Sequence, residues 1–298
     1  MMNAVKTVLI TGSEGFTGQY MAAEMRAAGY HVAGLGSQPA TTVDYYQADL
    51  MSIAELTAVI SRVQPDIVIH LAAIAFVGHG DANAFYQINL QGTRNLLEVL
   101  AKAEKKPEAV LLASSANVYG NTSEGSLPES TLPAPANDYA VSKLAMEYMA
   151  KLWQERLPII ITRPFNYTGR GQAENFLLPK IVAHFKAQSS VIELGNLEVW
   201  RDFSDVRAVV NAYRRLIEAK AFEQVVNVCS EEVYSLREIV AMCEEITGHH
   251  IEIRVNPAFV RAGEVKTLCG DATLLKTIIG DWKMPKLHET LTWMLKSE

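Results

Sequence analysis

Short apolar, β-branched runs alternate along the first half of the chain with longer stretches in which apolar residues recur every three or four positions. The runs Thr7 to Ile10, Val32 to Leu35, Asp44 to Gln47, Ile67 to His70, Ala109 to Ala113 and Ile159 to Thr162 read as strands, and helical patterns fill the gaps. Strand and helix repeated in this order predict right-handed βαβ crossovers and a parallel sheet covered on both faces. Gly29 stands where the first helix must stop, Pro65 precedes the fourth strand, and Pro158 precedes the sixth. Past Pro164 the alternation loosens, with Gly169-Arg170-Gly171, Pro179 and Gly195 punctuating shorter pieces. The expected architecture is α/β: a doubly wound parallel sheet over residues 1–164, to which segments near 205–230 return, and a smaller lobe made mainly of residues 165–298.

Bulk properties narrow the class. A chain of 298 residues buries about three quarters of its unfolded surface, enough for a large core without disulfides or metal. Its formal net charge of −6 excludes a broad nucleic-acid surface, which needs a basic excess. Cys229, Cys243 and Cys269 form no C-x-x-C pair and read as spare thiols of a reducing compartment rather than metal ligands. The first residues run straight into the first strand, and no apolar run approaches the ~20 residues that cross a bilayer. A cytoplasmic protein with no membrane partner is expected.

Three motifs carry chemistry. Thr11-Gly12-Ser13-Glu14-Gly15-Phe16-Thr17-Gly18 follows the first strand and opens a helix. Strand, glycine turn and helix in that order aim backbone N–H groups and a helix N-terminus at an anion, the way a dinucleotide pyrophosphate is held in a Rossmann-type sheet. Ser114-Ser115-Ala116-Asn117 ends the strand run at Ala113, where an open α/β sheet has its ligand crevice, so Ser115 is placed to hydrogen-bond a reacting oxygen. Tyr139 and Lys143 stand one helical turn apart. An ammonium beside a phenol lowers its pKa from ~10 toward working pH and suits Tyr139 to exchange a proton with an alcohol or carbonyl.

Cofactor choice turns on Gly34-Leu35-Gly36-Ser37-Gln38, at the end of the second strand. A carboxylate there accepts both ribose hydroxyls of NAD. This chain has none, so nothing repels a 2′-phosphate and Ser37 is placed to bond it; no Arg clamps it either. NADP(H) is favoured and NAD(H) stays open.

Together the motifs resemble the extended short-chain dehydrogenase/reductase family, whose members act on nucleotide-linked sugars with a Ser/Thr, Tyr and Lys triad and a nicotinamide cofactor. Further matching pieces span nearly the whole chain: Asp49-Leu50, His70-Leu71-Ala72-Ala73, Asn89-Leu90-Gln91-Gly92-Thr93 and Arg163-Pro164-Phe165-Asn166. The resemblance implies that Ser115, Tyr139 and Lys143 are catalytic. It implies cofactor contacts at Gly12, Gly15, Phe16, Thr17, Gly18, Ser37, Asp49, Leu50, Leu71, Ala72, Ala73, Asn89 and Arg163, besides Tyr139 and Lys143. Glu174-Asn175-Phe176, Gly195-Asn196-Leu197 with Arg201-Asp202-Phe203, and Arg261 with Glu264-Val265 resemble the branch that handles GDP-linked hexoses, the GDP-mannose 4,6-dehydratases and GDP-4-keto-6-deoxymannose reductases. Arg201 and Arg261 suit a diphosphate, since a guanidinium donates paired, charge-assisted bonds; each alone is more often a surface ion-pair partner, and the resemblance favours the binding role. Asn166 and Asn175 resemble sugar- or phosphate-contacting amides. Lys180 is either a further positive charge on the substrate or a solvated side chain, and Glu264 either faces the base or ribose or caps a turn.

In the related dehydratases the residue two places after the catalytic Ser/Thr is acidic and removes the C5 proton. Here it is Asn117, which cannot act as a base, and a positioned proton-transfer group is worth ~10²–10⁴-fold. Hydride transfer at C4 remains, making a reductase of a GDP-linked 4-keto-6-deoxyhexose the leading expectation. An epimerase or dehydratase that retains its cofactor is the alternative; a sensor that only binds a dinucleotide has no need of Tyr139 and Lys143. His70 reads as a buried, hydrogen-bonded strand-end residue, and His79 as a loop residue that either meets the hexose or is merely exposed. Helical patterns over Ala82 to Ala103 and Asp138 to Glu155 carry apolar residues on more than one face, including Leu96, Leu97, Val99 and Leu100 in the first and Leu144, Met146, Tyr148 and Met149 in the second. A helix apolar beyond its core stripe predicts a partner, and with the family's habit this points to a homodimer with a four-helix interface.

Overall fold

The computed structural model describes residues 5–39, 42–78, 80–121, 125–259 and 266–296. In chain order the strands are β1 (Thr7–Thr11), β2 (His31–Gly36), β3 (Tyr45–Gln47), β4 (Ile67–His70), β5 (Ala109–Ala113), β6 (Ser126–Leu127), β7 (Ile159–Pro164), β8 (Asn166–Thr168), β9 (Val191–Leu194), β10 (Trp200–Asp205), β11 (Val225–Val228), β12 (Val233–Ser235), β13 (Glu252–Val255) and β14 (Thr267–Gly270). The α-helices are α1 (Phe16–Ala27), α2 (Ile53–Val63), α3 (Ala82–Phe85), α4 (Thr93–Lys102), α5 (Asp138–Lys151), α6 (Leu177–Lys186), α7 (Val206–Glu218), α8 (Leu236–Thr247), α9 (Thr273–Ile279) and α10 (Leu287–Leu295).

Seven strands form one parallel, Rossmann-type sheet in the order β11-β7-β5-β4-β1-β2-β3. Because successive side chains on a strand point to opposite faces, the apolar runs supply two cores at once. Val8, Ile10, Ile67, Ile69, Leu111 and Ile160 pack with Met21, Met25, Val209 and Tyr213 of α1 and α7. Leu9, Ala33, Val68, Val110, Leu112 and Ile161 pack with Leu56, Leu96, Leu100 and Met146 of α2, α4 and α5. The chain turns from one half of the sheet to the other between the neighbouring strands β1 and β4, so their carboxyl ends bound the crevice expected of an open α/β sheet.

A second sheet, β12-β10-β14-β6 with β8 beside β10, lies beyond the main one. Its lobe has a separate core, in which α6, α8 and α10 contribute Ile181, Phe185, Ile239, Val240 and Leu291. Among the described residues no helix is long and apolar enough to cross a membrane.

The two long helical patterns differ from expectation in detail. The first is helical throughout Ala82 to Lys102, but α3 passes into a π-helical stretch, Tyr86–Gly92, before α4 begins. Apolar residues continue through a π-turn, so periodicity does not report it. The second ends at Lys151, where Leu152 and Trp153 bond back three residues to Met149 and Ala150 and tighten the helix end. Leu96, Leu97, Val99 and Leu100 are no partner-seeking face either; all four are buried in the chain's own core against α2 and the sheet. The third strand starts at Tyr45 rather than Asp44.

Candidate active site

The glycine turn follows β1 and α1 begins at Phe16, with Gly15 as its N-cap and no side chain capping it. Gly12 adopts a φ of +70°, and a Cβ there would lie 2.9 Å from the backbone of Ala72 beyond β4. A Cβ on Gly18 would lie 2.1 Å from the Gly12 carbonyl oxygen, so the helix can approach the turn only without a side chain. Thr11 ties the two strand ends together, accepting from the Ala72 N–H at 3.1 Å while its hydroxyl lies 2.7 Å from His70 Nδ1. A glycine cradle with uncapped helix N–H groups at the switch point fits a dinucleotide pyrophosphate. The Ser13 hydroxyl of the same turn is buried without a hydrogen-bond partner, against Gly34 of β2.

His70 is buried and also lies 2.9 Å from the Thr93 hydroxyl through Nε2. Burial, reinforced by Lys143, pushes its pKa down to about 3, so it is a neutral strand-end residue, as its sequence position suggested.

Asn137 caps α5 by accepting from the Ala140 N–H at 2.9 Å, which places Tyr139 in the first turn and Lys143 in the next. Ser115 begins the 3₁₀ turn Ala116–Tyr119 past β5, and its hydroxyl accepts from both the backbone and side-chain N–H of Asn117 at 3.2 Å. Tyr139 is buried, and Phe85 packs edge-on against its ring at 6.0 Å. Burial pushes the phenol up to about 12, while the hydroxyl of Ser115 acts in the opposite direction as a hydrogen-bond partner. Ser115 and Tyr139, 24 positions apart along the chain, therefore meet. Lys143 departs from the expected pairing. Its ammonium donates to the Ala113 carbonyl at 2.8 Å, and burial lowers it to about 8 despite the nearby carboxylate of Glu147. Desolvation of both groups outweighs their helical spacing, so the phenol is not drawn toward neutrality by the ammonium.

Other residues singled out by sequence fall into two groups. Some sit at the crevice rim. Thr17 shares a 2.8 Å hydrogen bond with the Tyr167 hydroxyl, Phe16 stacks on the same ring at 6.2 Å, and Ser37 is exposed beyond β2 with its carbonyl accepting from Gln47. Leu71, Ala72 and Ala73 line the end of β4. Others are engaged with the protein itself. Asp49 is exposed and accepts from the Met51 N–H, while Leu50 is buried against Gly92. Asn89 brackets Ile74, accepting from its N–H at 2.9 Å and donating to its carbonyl at 3.1 Å, and also donates to the Ser142 hydroxyl. Arg163 is buried in a two-pronged pair with Glu147, at 3.0 and 2.6 Å, and its Nη1 donates to Tyr119. In the second lobe, the Asn166 amide donates to the Asp202 carbonyl, and Lys180 donates to the Glu193 carbonyl with its ammonium 4.5 Å from the Phe259 ring centre. Arg201 donates to the carbonyl of Trp200, and Asn175 is exposed just before α6. Arg261, Glu264 and His79 lie outside the described residues.

Sequence reading missed Tyr167 and Glu147. Tyr167 directly follows the Arg163-to-Asn166 motif, and Glu147 is an acidic residue inside the otherwise apolar run Leu144 to Met149, the pattern of a buried paired charge.

The chain is similar to known proteins over nearly its whole length. GDP-6-deoxy-D-talose 4-dehydrogenase of Aggregatibacter actinomycetemcomitans is 34% identical over 294 residues, spanning 97% of each chain. GDP-6-deoxy-D-mannose reductase of Pseudomonas aeruginosa is 35% identical over 287 residues, covering 93% of this chain and 91% of the relative. The solved structure of RMD from Pseudomonas aeruginosa complexed with NADPH has a TM-score of 0.85 at 32% identity and covers 98% of both chains. Residues 8–229 match the pattern of the NAD dependent epimerase/dehydratase family, and it is to this family that the chain belongs.

Proposed function

We propose that the protein reduces the C4 ketone of a nucleotide-linked 4-keto-6-deoxyhexose, GDP-4-keto-6-deoxymannose in first place, with NADPH as reductant. The observation that carries this reading is the meeting of Ser115 and Tyr139 at the end of β5, with an amide, Asn117, bonded to the same serine. A glycosyl C5 proton needs a base at that place, and an amide is not one. The named activities of the GDP-sugar relatives support the same choice.

When bound, the nicotinamide supplies the hydride. The protein's part is to hold the ketone oxygen and deliver a proton. Ser115 donates to the oxygen and orients it, and Tyr139 gives up its phenolic proton as the alkoxide forms. A phenol held near pH 12 is protonated throughout the working range, as an acid must be before it acts. Lys143, lowered by burial to about 8, is charged at neutrality and holds its ammonium on the Ala113 carbonyl, one helical turn from Tyr139. The glycine turn holds the pyrophosphate, and Ser37, with no acidic neighbour at the end of β2, accommodates a 2′-phosphate. Asn166, Asn175, Lys180 and Arg201 are assigned to the substrate from the second lobe, together with Arg261 and Glu264.

The test is direct. Protein, NADPH and GDP-4-keto-6-deoxymannose are mixed and cofactor oxidation is followed by absorbance. Turnover is expected, falling ~10²–10⁴-fold in Tyr139→Phe with NADPH binding retained. No oxidation beside a working control defeats the reading, and a changed sugar with no net cofactor consumption transfers it to an epimerase or dehydratase.

A further inference from the structure

The two residues that precede Ser115 are each tied to α5. Lys143 donates to the Ala113 carbonyl at 2.8 Å, and the Ser114 hydroxyl donates to Glu147 Oε1 at 2.5 Å. Lys143 and Glu147 are one turn apart on the same helix, so these bonds form successive rungs between the strand end and the helix that carries Tyr139. The Ser114 N–H meanwhile donates to Thr162 at 2.8 Å, the last rung of the β5 and β7 ladder. Ser115 is the first residue beyond it.

Glu147 is itself immobilised. Arg163 grips both its oxygens, at 3.0 and 2.6 Å, and Arg163 is held in turn by the Tyr119 hydroxyl at 3.0 Å, which donates to Asn227 at 2.7 Å. Ser114, Glu147, Arg163, Tyr119 and Asn227 are all buried. A buried ion pair gains little stability over a well-packed apolar replacement, because desolvation cancels most of the attraction. Stability alone therefore gives a weak account of a chain of five buried polar groups ending next to a catalytic hydroxyl. Geometry gives a better one, since catalysis is sensitive to errors of about 1 Å.

We propose that Ser114 and Glu147 are positioning residues: the Ser114–Glu147 bond, braced by Arg163, fixes the end of β5 against α5 and so sets the Ser115 hydroxyl against the Tyr139 phenol. This rests on the triad reading above. The same carboxylate also favours the charged form of Lys143, against the effect of burial.

Ser114→Ala removes the rung and leaves the Glu147–Arg163 pair whole; Ser114→Thr keeps the donor. Tyrosine labelled with ¹³C at Cζ reports the surroundings of the Tyr139 phenol in the protein alone, its signal assigned through Tyr139→Phe. Ser114→Ala is expected to displace that signal and to lower kcat ~10- to 100-fold with little change in KM, and Ser114→Thr to restore both. An unmoved Tyr139 signal with undiminished kcat in Ser114→Ala overturns the proposal, as does a variant that only melts at lower temperature. Should the wild-type protein reduce no ketosugar, the functional reading fails alone, and the Tyr139 signal still decides the role of Ser114.

Discussion

Thr17 and Tyr167 meet hydroxyl to hydroxyl at 2.8 Å, one in the first turn of α1 and the other on β8. Tyr167 is opposite Ser204 of β10, so this one contact joins the glycine turn to the second sheet. Tyr167→Phe leaves the Thr17 hydroxyl without that partner. It is expected to cost about 1 kcal/mol in urea denaturation and to weaken NADPH binding in a fluorescence titration. Unchanged affinity would show that the turn keeps its shape without the second lobe.

Gly18 and Gly29 separate two reasons for glycine. Gly18 has no room: an added Cβ meets backbone at 2.1 Å, whereas Gly29 has nothing within 4 Å but a φ of +87°. Gly18→Ala is expected to cost about 1–3 kcal/mol through overpacking and to reduce dinucleotide affinity at least tenfold in calorimetric titration. Gly29→Ala should cost about 1 kcal/mol from backbone strain and leave affinity unchanged.

His70 gives the stability a pH dependence of known sign. Its pKa is lowered in the folded chain to about 3 from an ordinary value near 6.5, so between these values the unfolded chain binds a proton that the native one refuses. Its contribution is complete above pH 6.5 and is lost as pH falls toward 3, at about 1.4 kcal/mol per pH unit. Urea midpoints from pH 4 to 7 should show this slope in the wild type and a shallower one in His70→Gln. Parallel slopes would assign the acid sensitivity to carboxylates.

For the expected homodimer, α5 rather than α4 offers the exposed apolar residues, Tyr148 among them. On α5 and its C-terminal turn, Val141, Tyr148 and Leu152 are 37, 60 and 76% exposed, whereas the leucines of α4 are consumed by the core. Sedimentation at micromolar concentration is expected to show a dimer that Tyr148→Glu with Leu152→Glu converts to monomer. A wild-type monomer would exclude the interface.

What was readable in sequence was what short-range chemistry dictates. A β-branched run such as Val8 to Ile10 has few alternatives to a buried strand, and Gly12 and Gly18 occupy places where only glycine fits, so strand, turn and helix were legible together. Tyr139 and Lys143 were legible through helical spacing. Where Lys143 points was not, because the Ala113 carbonyl that accepts its hydrogen bond lies 30 positions away. Arg163 shows the same limit: its motif implied a cofactor contact, and in the fold its guanidinium is occupied by Glu147. The exposed faces were misjudged on α4 because its apolar girth is needed by α2 and the sheet of the same chain.

The strand Val225–Val228 covers β7 and becomes the edge of the main sheet, after the chain has already built much of the second lobe. A nascent chain ending at Pro164 would carry β7 as a bare apolar border, open to pairing with a neighbour. Synthesis must reach about residue 230 before that border is covered. A chain cut at Pro164 is therefore expected to aggregate rather than to fold as a free-standing module.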